Sequence, residues 1–381
     1  MIVVGTRSAG LMATVDAAGG VEMADGSRVD WWVAAEDRWH TPPDEPTIRQ
    51  VHSFGVPVVE TMVRVPGGDV VQRVYAEAGG LVVVEFENQS NRSVAIAISR
   101  RDLRFSRPPA EVSIEGIVLP ADAVVLPLAH TASVRVGAGA GPGMLGAVPT
   151  AEEVRRGWQR QLDHTPRLVL PDSAFDDSLR GARADVLLGV NWSPDDLVER
   201  CLAASELVRL GEPAAPWVDP IAEAVALVAR QSKRGRPASA DHPRALRRAA
   251  EVLRTAGDER AATDVDAIRR RVSGSVQGAP RSDGIHGLVG KLDSLGESCD
   301  GFVSFLSDVP REWFGQPIEV HDLPVAGGVA ACAVRWHGER PAILWEAPAG
   351  FQVRCTGLDP TWVGGSSGEA LLAVPVLSDR S

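Results

Sequence analysis

The residues best suited by type to do chemistry are carboxylates lying beside aromatic and imidazole rings. Glu36, Asp37, Asp44 and Glu45 surround Trp39 and His40 in one short segment, and Glu312 precedes Trp313 in another. Cleavage of a glycosidic bond uses two carboxyl groups about 5–10 Å apart, one protonated and one ionised. A Trp face is a platform for the apolar face of a sugar ring. Ten Trp stand against one Tyr and eight Phe, a skew that draws attention to those in loop-like segments: Trp31, Trp32, Trp39, Trp192, Trp217, Trp313 and Trp362. The candidate ligand-binding residues are therefore Glu36, Trp39, His40, Trp192, Glu312 and Trp313. No catalytic pair stands out. Each candidate also has a plainer reading, because large Trp side chains favour cores and loop acids are commonly solvated. Asp176, Asp177, Asp195 and Asp196 fall in first or second helical turns, where acids complement the helix dipole.

Other motifs fail on context. Gly141-Pro142-Gly143-Met144-Leu145-Gly146 has dinucleotide-loop spacing but follows an antiparallel pattern with no βαβ unit, so it reads as a hinge. Gly364-Gly365-Ser366-Ser367-Gly368 has the nucleophile-elbow spacing, yet no histidine follows it. The histidines form neither HxH nor HExxH, and GxxxxGK[ST] is absent, so neither a metal nor a cofactor is expected. Lys233, Arg234, Arg236, Arg244, Arg247, Arg248 and Arg254 make one basic edge, expected to be a solvated helix face.

The chain has 381 residues, 44% hydrophobic and 23% charged, with a formal charge of −11. That length fits two or three domains, and a net anion is repelled by nucleic-acid backbones and anionic membranes. Neither is an expected partner. No run approaches the ~20 apolar residues of a membrane helix, and the first residues lack a basic n-region, so the expected location is cytoplasmic. Cys201, Cys299, Cys332 and Cys355 have no CxxC spacing and are expected to be reduced, although Cys332 and Cys355 could face each other across a sheet.

A hydrophobic period near 3.6 is confined to the middle third, between flanks of period 2. Up to about Val136 the sequence predicts strands at Val56–Val65, Val70–Tyr75, Leu81–Glu87, Val94–Ser99, Val112–Leu119, Val124–Leu128 and Ser133–Val136, separated by turn clusters such as Pro66-Gly67-Gly68-Asp69. Thr150 and Glu153 form a capping box for a helix to about Leu162. Asp172 caps a stripe from Phe175 to Val190. Ser193-Pro194 opens a third helix, stopping at Gly211, with Ser193 as its cap. Asp219-Pro220, Asp241-His242-Pro243 and Gly257-Asp258 open three more, the last ending near Val272. Six segments predict three helical hairpins, whereas a twelve-helix ring with helices of about 11–12 residues plus loops needs well over 200 residues. From Ser273 to Gly290 the composition reads as a mobile crossing segment.

The tail carries Trp313-Phe314-Gly315-Gln316-Pro317-Ile318-Glu319-Val320, then a hairpin from Ala333 to Glu346 that turns at His337-Gly338 with Trp336 and Trp345 on its strands. With the β–α–β order, this tail resembles bacterial, notably actinobacterial, glycoside-hydrolase-like proteins built from a β-sandwich, an (α/α)6 toroid and a small β-domain. The resemblance implies an α+β multidomain fold: an antiparallel β-sandwich over 1–146, a reduced α/α-hairpin array or half toroid with a linker over 147–290, and a small β-domain over 291–381. It brings no active-site motif. The expected function is that of a degenerate, non-catalytic member binding a glycan or a protein. One alternative is a glycoside hydrolase whose paired-carboxylate site is completed by homo-oligomerisation, and another is a structural assembly protein with Trp-bearing contacts.

Overall fold

The computed structural model describes residues 1–52, 55–111, 114–139, 145–163, 166–233, 238–325 and 327–374, the side chains of 232 and 233 excepted. The larger part of the Gly141–Gly146 motif, and Arg234 and Arg236 of the basic series, lie outside them. The described residues form many antiparallel strands and seven helices: α1 (Ala151–Leu162), α2 (Ser173–Leu187), α3 (Leu197–Arg209), α4 (Val218–Lys233), α5 (Asp241–Thr255), α6 (Glu259–Ser273) and α7 (Gly284–Leu295). None is long and apolar enough to cross a membrane. The chain divides into two compact units, residues 1–159 with 187–190, and residues 160–186 with 191–381. The second holds both the helices from α2 onward and the C-terminal sheets.

In the first unit, a six-stranded antiparallel sheet has the order Arg104–Phe105, Ser133–Gly139, Leu81–Asn88, Gly68–Glu77, Val59–Val65 and Arg49–His52. A four-stranded sheet orders Val124–Leu128, Val94–Ile98, Trp31–Ala34 and Trp39–His40, and four N-terminal strands from Ile2 to Val29 form another. Alternation sends Val63, Val74 and Val84 from the first sheet, Val33, Ile96 and Leu126 from the second, and Val4 and Val15 from the third into one core. The opposite face of the six-stranded sheet presents Tyr75, Leu81 and Val83, against which Leu145, Val148, Ala151 and then Val154 and Trp158 pack. Thus α1 covers a sheet and is not half of a helical hairpin, as the sequence had suggested. Its capping box is formed: Glu153 N–H donates to Thr150 Oγ1 at 3.2 Å, and Thr150 N–H to Glu153 Oε2 at 2.8 Å. The strand expected over Val112–Leu119 does not form in its described part, 114–119, where Gly116 takes φ +80 and the Glu115 carbonyl is used by a side chain.

In the second unit, α3, α5 and α7 run parallel. Glu199 and His286, both in first turns, approach to 3.7 Å, while Arg209 and Glu251, both near the far ends, meet at 2.9 Å. Of the intervening helices, α6 packs on α5, with Arg254 near the end of α5 reaching Glu259 at the start of α6, and α4 begins near the start of α3, where Arg200 meets Glu223. The seven helices among the described residues are fewer than a twelve-helix ring needs. Two expectations need correction. The cap of α3 is Asp196, which accepts from the Val198 and Glu199 amides at 2.9 and 3.1 Å, while Ser193 Oγ accepts from Asp195 N–H in the preceding turn. The segment read as a crossing linker contains the start of α7, because Ile285, Leu288, Val289, Leu292 and Leu295 bury one helical stripe. Two of its glycines sit against backbone: a Cβ would lie 2.8 Å from the Asn191 carbonyl oxygen at Gly284 and 2.3 Å from that of Ser282 at Gly287.

Two sheets complete this unit. Arg167–Val169, Ile318–Val325, Gly328–His337, Arg340–Glu346 and Ser367–Leu371 lie in that order in one. Gly296–Cys299, Phe302–Phe305, Gln352–Cys355 and Asp359–Gly364 make the other. The hairpin expected at His337 forms, pairing His337 with Arg340 around Gly338 at φ +63. Cys332 and Cys355 are buried free thiols on different sheets, and burial pushes Cys355 up to about 12.

These contacts separate two glycines. Gly287→Ala should lower the urea midpoint, because its Cβ meets fixed backbone. Gly157→Ala, in α1 with nothing within 4 Å of the added methyl, should raise stability by about 0.4–1 kcal/mol. Equilibrium unfolding of the two variants checks both signs.

Candidate functional site

Of the sequence-predicted residues, Glu36, Trp39 and His40 lie on a β-turn of the first unit, where Val33 pairs with His40 and Ala34 with Trp39. His40 is buried, and its ring is fully engaged: Nε2 lies 3.1 Å from Asp37 Oδ1 and Nδ1 3.1 Å from Glu45 Oε1. Arg38 grips both oxygens of the buried Glu45, at 2.6 and 3.1 Å, and its guanidinium, with His40 beyond it, holds that carboxyl below the usual range. Trp39 is half-buried and donates from Nε1 to the Glu115 carbonyl at 2.8 Å. Glu36 is exposed, 3.5 Å from Arg92. The segment is a clasp whose polar atoms already satisfy one another, and His40 offers no unengaged ring nitrogen.

The other three lie in the second unit. Trp313 is 2% exposed, in a short 3-10 turn, and meets Phe175 edge to face at 5.2 Å. It is a core residue. Glu312 beside it is exposed. Trp192, half-exposed ahead of α3, donates to the Val186 carbonyl at 3.2 Å and stands edge-on to Trp217 with centroids 6.3 Å apart.

The larger polar feature was not anticipated from the sequence. On α5, Arg244, Arg247, Arg248, Glu251 and Arg254 recur three or four residues apart and so share a face. That face points inward, where a solvated edge was expected. Asp293 of α7 receives Arg248 at 2.7 Å, Arg244 at 3.2 Å and Arg247 besides. Arg248 is 1% exposed and also donates to Glu251 at 3.0 Å. Arg247 bonds Glu297 as well, on the strand that follows α7. From α6, Arg269 donates to Asp300 at 2.6 Å and to Cys299 Sγ at 3.1 Å. Asp300 and Gly301, at φ +50 and +82, form the tight turn that sets these groups in place. Arg247 and Arg248 each reach two carboxylates, because a buried guanidinium carries several N–H donors that need acceptors.

Two clefts open onto this network. One, of about 430 Å³, is lined by Glu251, Arg254, Asp266, Arg270, Asp300 and Phe351 among others. The other, of about 570 Å³, is lined by Arg244, Asp293, Ser294, Glu297 and Ser307 among others. Arg247, Arg269 and Cys299 line both. These sizes fall in the ~300–1,000 Å³ range of small-molecule sites. No Trp lines either cleft, and Phe351, half-exposed, is the aromatic side chain of the pair. All five lining carboxylates carry an arginine: Glu251 with Arg209 and Arg248, Asp266 with Arg254 and Arg269, Asp293 as above, Glu297 with Arg247, and Asp300 with Arg269. Burial pushes the Glu251 carboxyl upward against the pull of Arg248 and Arg247, whereas Arg269 holds Asp300 below the usual range. Burial likewise raises the Cys299 thiol despite Arg269.

A second buried polar group sits where the N-termini of α3, α5 and α7 converge. His286, 1% exposed, has Nδ1 3.3 Å from Asp241 and Nε2 3.7 Å from Glu199, without hydrogen-bond geometry at either nitrogen. Arg281 completes it, 2.8 Å from Glu199. Among the described residues no group of three or more His, Cys, Asp or Glu is placed to hold a metal ion.

No family model and no curated protein matches the sequence. Among solved structures, the chain is similar to a human-microbiome protein assigned as a kojibiose phosphorylase, at 7% identity and a TM-score of 0.42, over 90% of this chain and 88% of that one. It is also similar to a bacterial glucoamylase solved with acarbose, at 7% identity and a TM-score of 0.31, over 71% of this chain and 64% of the other. Both scores are below 0.5, so neither likeness assigns an activity to this chain.

Trp313→Ala should cost about 3–5 kcal/mol of stability, as expected for a large aromatic removed from a core, measured by chemical denaturation. Glu45 makes a prediction about pH. Its folded-state carboxyl binds a proton less readily than the unfolded chain, whose ordinary value is 4.5. The resulting stability is present above about pH 4.5 and is lost as pH falls through the folded-state value. Arg38→Gln should therefore separate from wild type most at neutral pH, with the gap in urea midpoint narrowing towards pH 3.

Proposed function

We propose that this chain is a non-catalytic, glycoside-hydrolase-like protein that binds a carbohydrate in the paired clefts of its second unit. The observation that carries this reading is that each of the five cleft carboxylates is already the counter-ion of an arginine. General acid catalysis needs a carboxyl that holds a proton near neutral pH and gives it up to the leaving oxygen. Burial favours that state at Glu251, but protonation would leave Arg248, with its guanidinium out of water, only Asp293, a carboxylate that Arg244 and Arg247 share. The same pairing suits recognition. Carboxylate oxygens and guanidinium N–H groups locked in position present a fixed mosaic of acceptors and donors to hydroxyl groups, and preorganised side chains lose little entropy on binding. Phe351 supplies an apolar face of the kind that stacks on a sugar ring.

A glycan array followed by calorimetry on the best-retained oligosaccharide tests the reading. Phe351→Ala should weaken that oligosaccharide by roughly tenfold while the melting temperature stays near wild type. The wild-type protein should release no reducing sugar from the bound glycan. One specific observation favours a second reading, a glycoside hydrolase: Glu251 is raised and Asp300 lowered in one cleft, the divergence expected of an acid and a base. Hydrolysis that disappears in Asp300→Asn, with melting unchanged, would replace the first reading with the second.

A further inference from the structure

The lining charges of the two clefts are not equivalent. Arg244, Arg247, Arg254 and Arg269 each have a carboxylate within 4.0 Å, whereas Arg270, exposed on α6 at the wall of the first cleft, has no such partner among the described residues. Asp300, whose carboxyl Arg270 also helps to hold down, is already ion-paired with Arg269 at 2.6 Å. The first cleft is therefore lined by four guanidiniums, of Arg247, Arg254, Arg269 and Arg270, against three carboxylates, of Glu251, Asp266 and Asp300, and Arg270 is the one outside the ion pairs. A guanidinium engages a carboxylate through two parallel N–H donors, a stronger contact than a neutral hydroxyl provides.

The two clefts share Arg247, Arg269 and Cys299 as lining. A ligand in the first cleft meets ion-paired, hydroxyl-matching groups along most of its wall and one guanidinium without an ion-pair partner, Arg270. We infer that the ligand is an acidic oligosaccharide, a uronate-containing chain whose carboxylate meets Arg270 while its hydroxyls face the ion-paired lining. This inference rests on the carbohydrate-binding reading above and adds the substrate class.

The test is calorimetric titration of the full chain with three probes: trigalacturonate, maltotriose as a neutral sugar of equal length, and triglutamate as an acidic non-sugar. Trigalacturonate should bind the tightest, and its affinity should fall as NaCl is raised. Arg270→Gln should lower it by about tenfold and leave any maltotriose affinity unchanged, while Arg260→Gln, on the same helix but outside both clefts, should do neither. Maltotriose binding as tightly as trigalacturonate, or no effect of Arg270→Gln, would overturn the acidic-ligand inference while leaving carbohydrate binding standing. Triglutamate binding as tightly as trigalacturonate would overturn the sugar as the ligand. Failure of every saccharide to bind would remove the underlying reading, and this inference with it.

Discussion

The second unit is organised by one constraint: a guanidinium taken out of water must keep its counter-charge. Asp293 of α7 carries the heaviest part of it, receiving Arg244, Arg247 and Arg248 from successive turns of α5. Arg248 then reaches Glu251, which Arg209 of α3 also holds, and Arg247 reaches Glu297 on the strand beyond α7. Apolar helix faces alone would tolerate sliding by a turn. Here a slide would pull three guanidiniums off one carboxylate, leaving buried charges unpaired at a cost of several kcal/mol. The network thus ties the register of three parallel helices to the position of the hairpin that carries Cys299 and Asp300. The clefts are where that charged layer reaches the surface.

Local chemistry was legible in the sequence wherever its partners were close along the chain. Thr150 and Glu153 announced α1, Gly211 with φ +92 ended α3 after Arg209, Asp258 capped α6 through the Ala261 amide, and His337-Gly338 turned the tail hairpin. What failed was local chemistry with two meanings. Gly284, Gly287 and Gly290 read as a linker because glycine marks flexibility as well as close approach, and only the packed Ser282 carbonyl distinguishes the two at Gly287. Ser193 and Asp196 were both competent caps, and the turn through Pro194 decided between them.

The site was less legible because it is assembled across elements. The α5 arginines were visible as a basic run, but whether they faced solvent depended on Asp293 and Glu297, some 45 to 50 residues further along. Nothing at the level of spacing pairs them. The aromatic signal misled for a related reason. Trp313 shares its segment with exposed Glu312, yet a short 3-10 turn sends one outward and the other against Phe175. An alternative signal was present: acids and arginines at helical spacing on a segment that also carries Leu246, Ala249, Ala250 and Leu253, all buried. A helix with charges interleaved among core residues has nowhere to put them but against other charges.

The same pairing is the basis of the proposed recognition role. A carboxylate that neutralises a buried arginine is stabilised as an anion by that partner, and its proton affinity falls with the strength of the pair. The property that makes Asp300 a good counter-ion makes it a poor proton donor. For Glu251, burial acts in the other direction, yet protonating it would transfer the cost to Arg248, which is almost fully enclosed. A cleft can therefore keep its architecture and lose its acid without changing a single residue type, simply by committing each carboxylate to a guanidinium. Among the described residues Arg270 lies outside that commitment, and it is where the proposed acidic ligand would place its carboxylate.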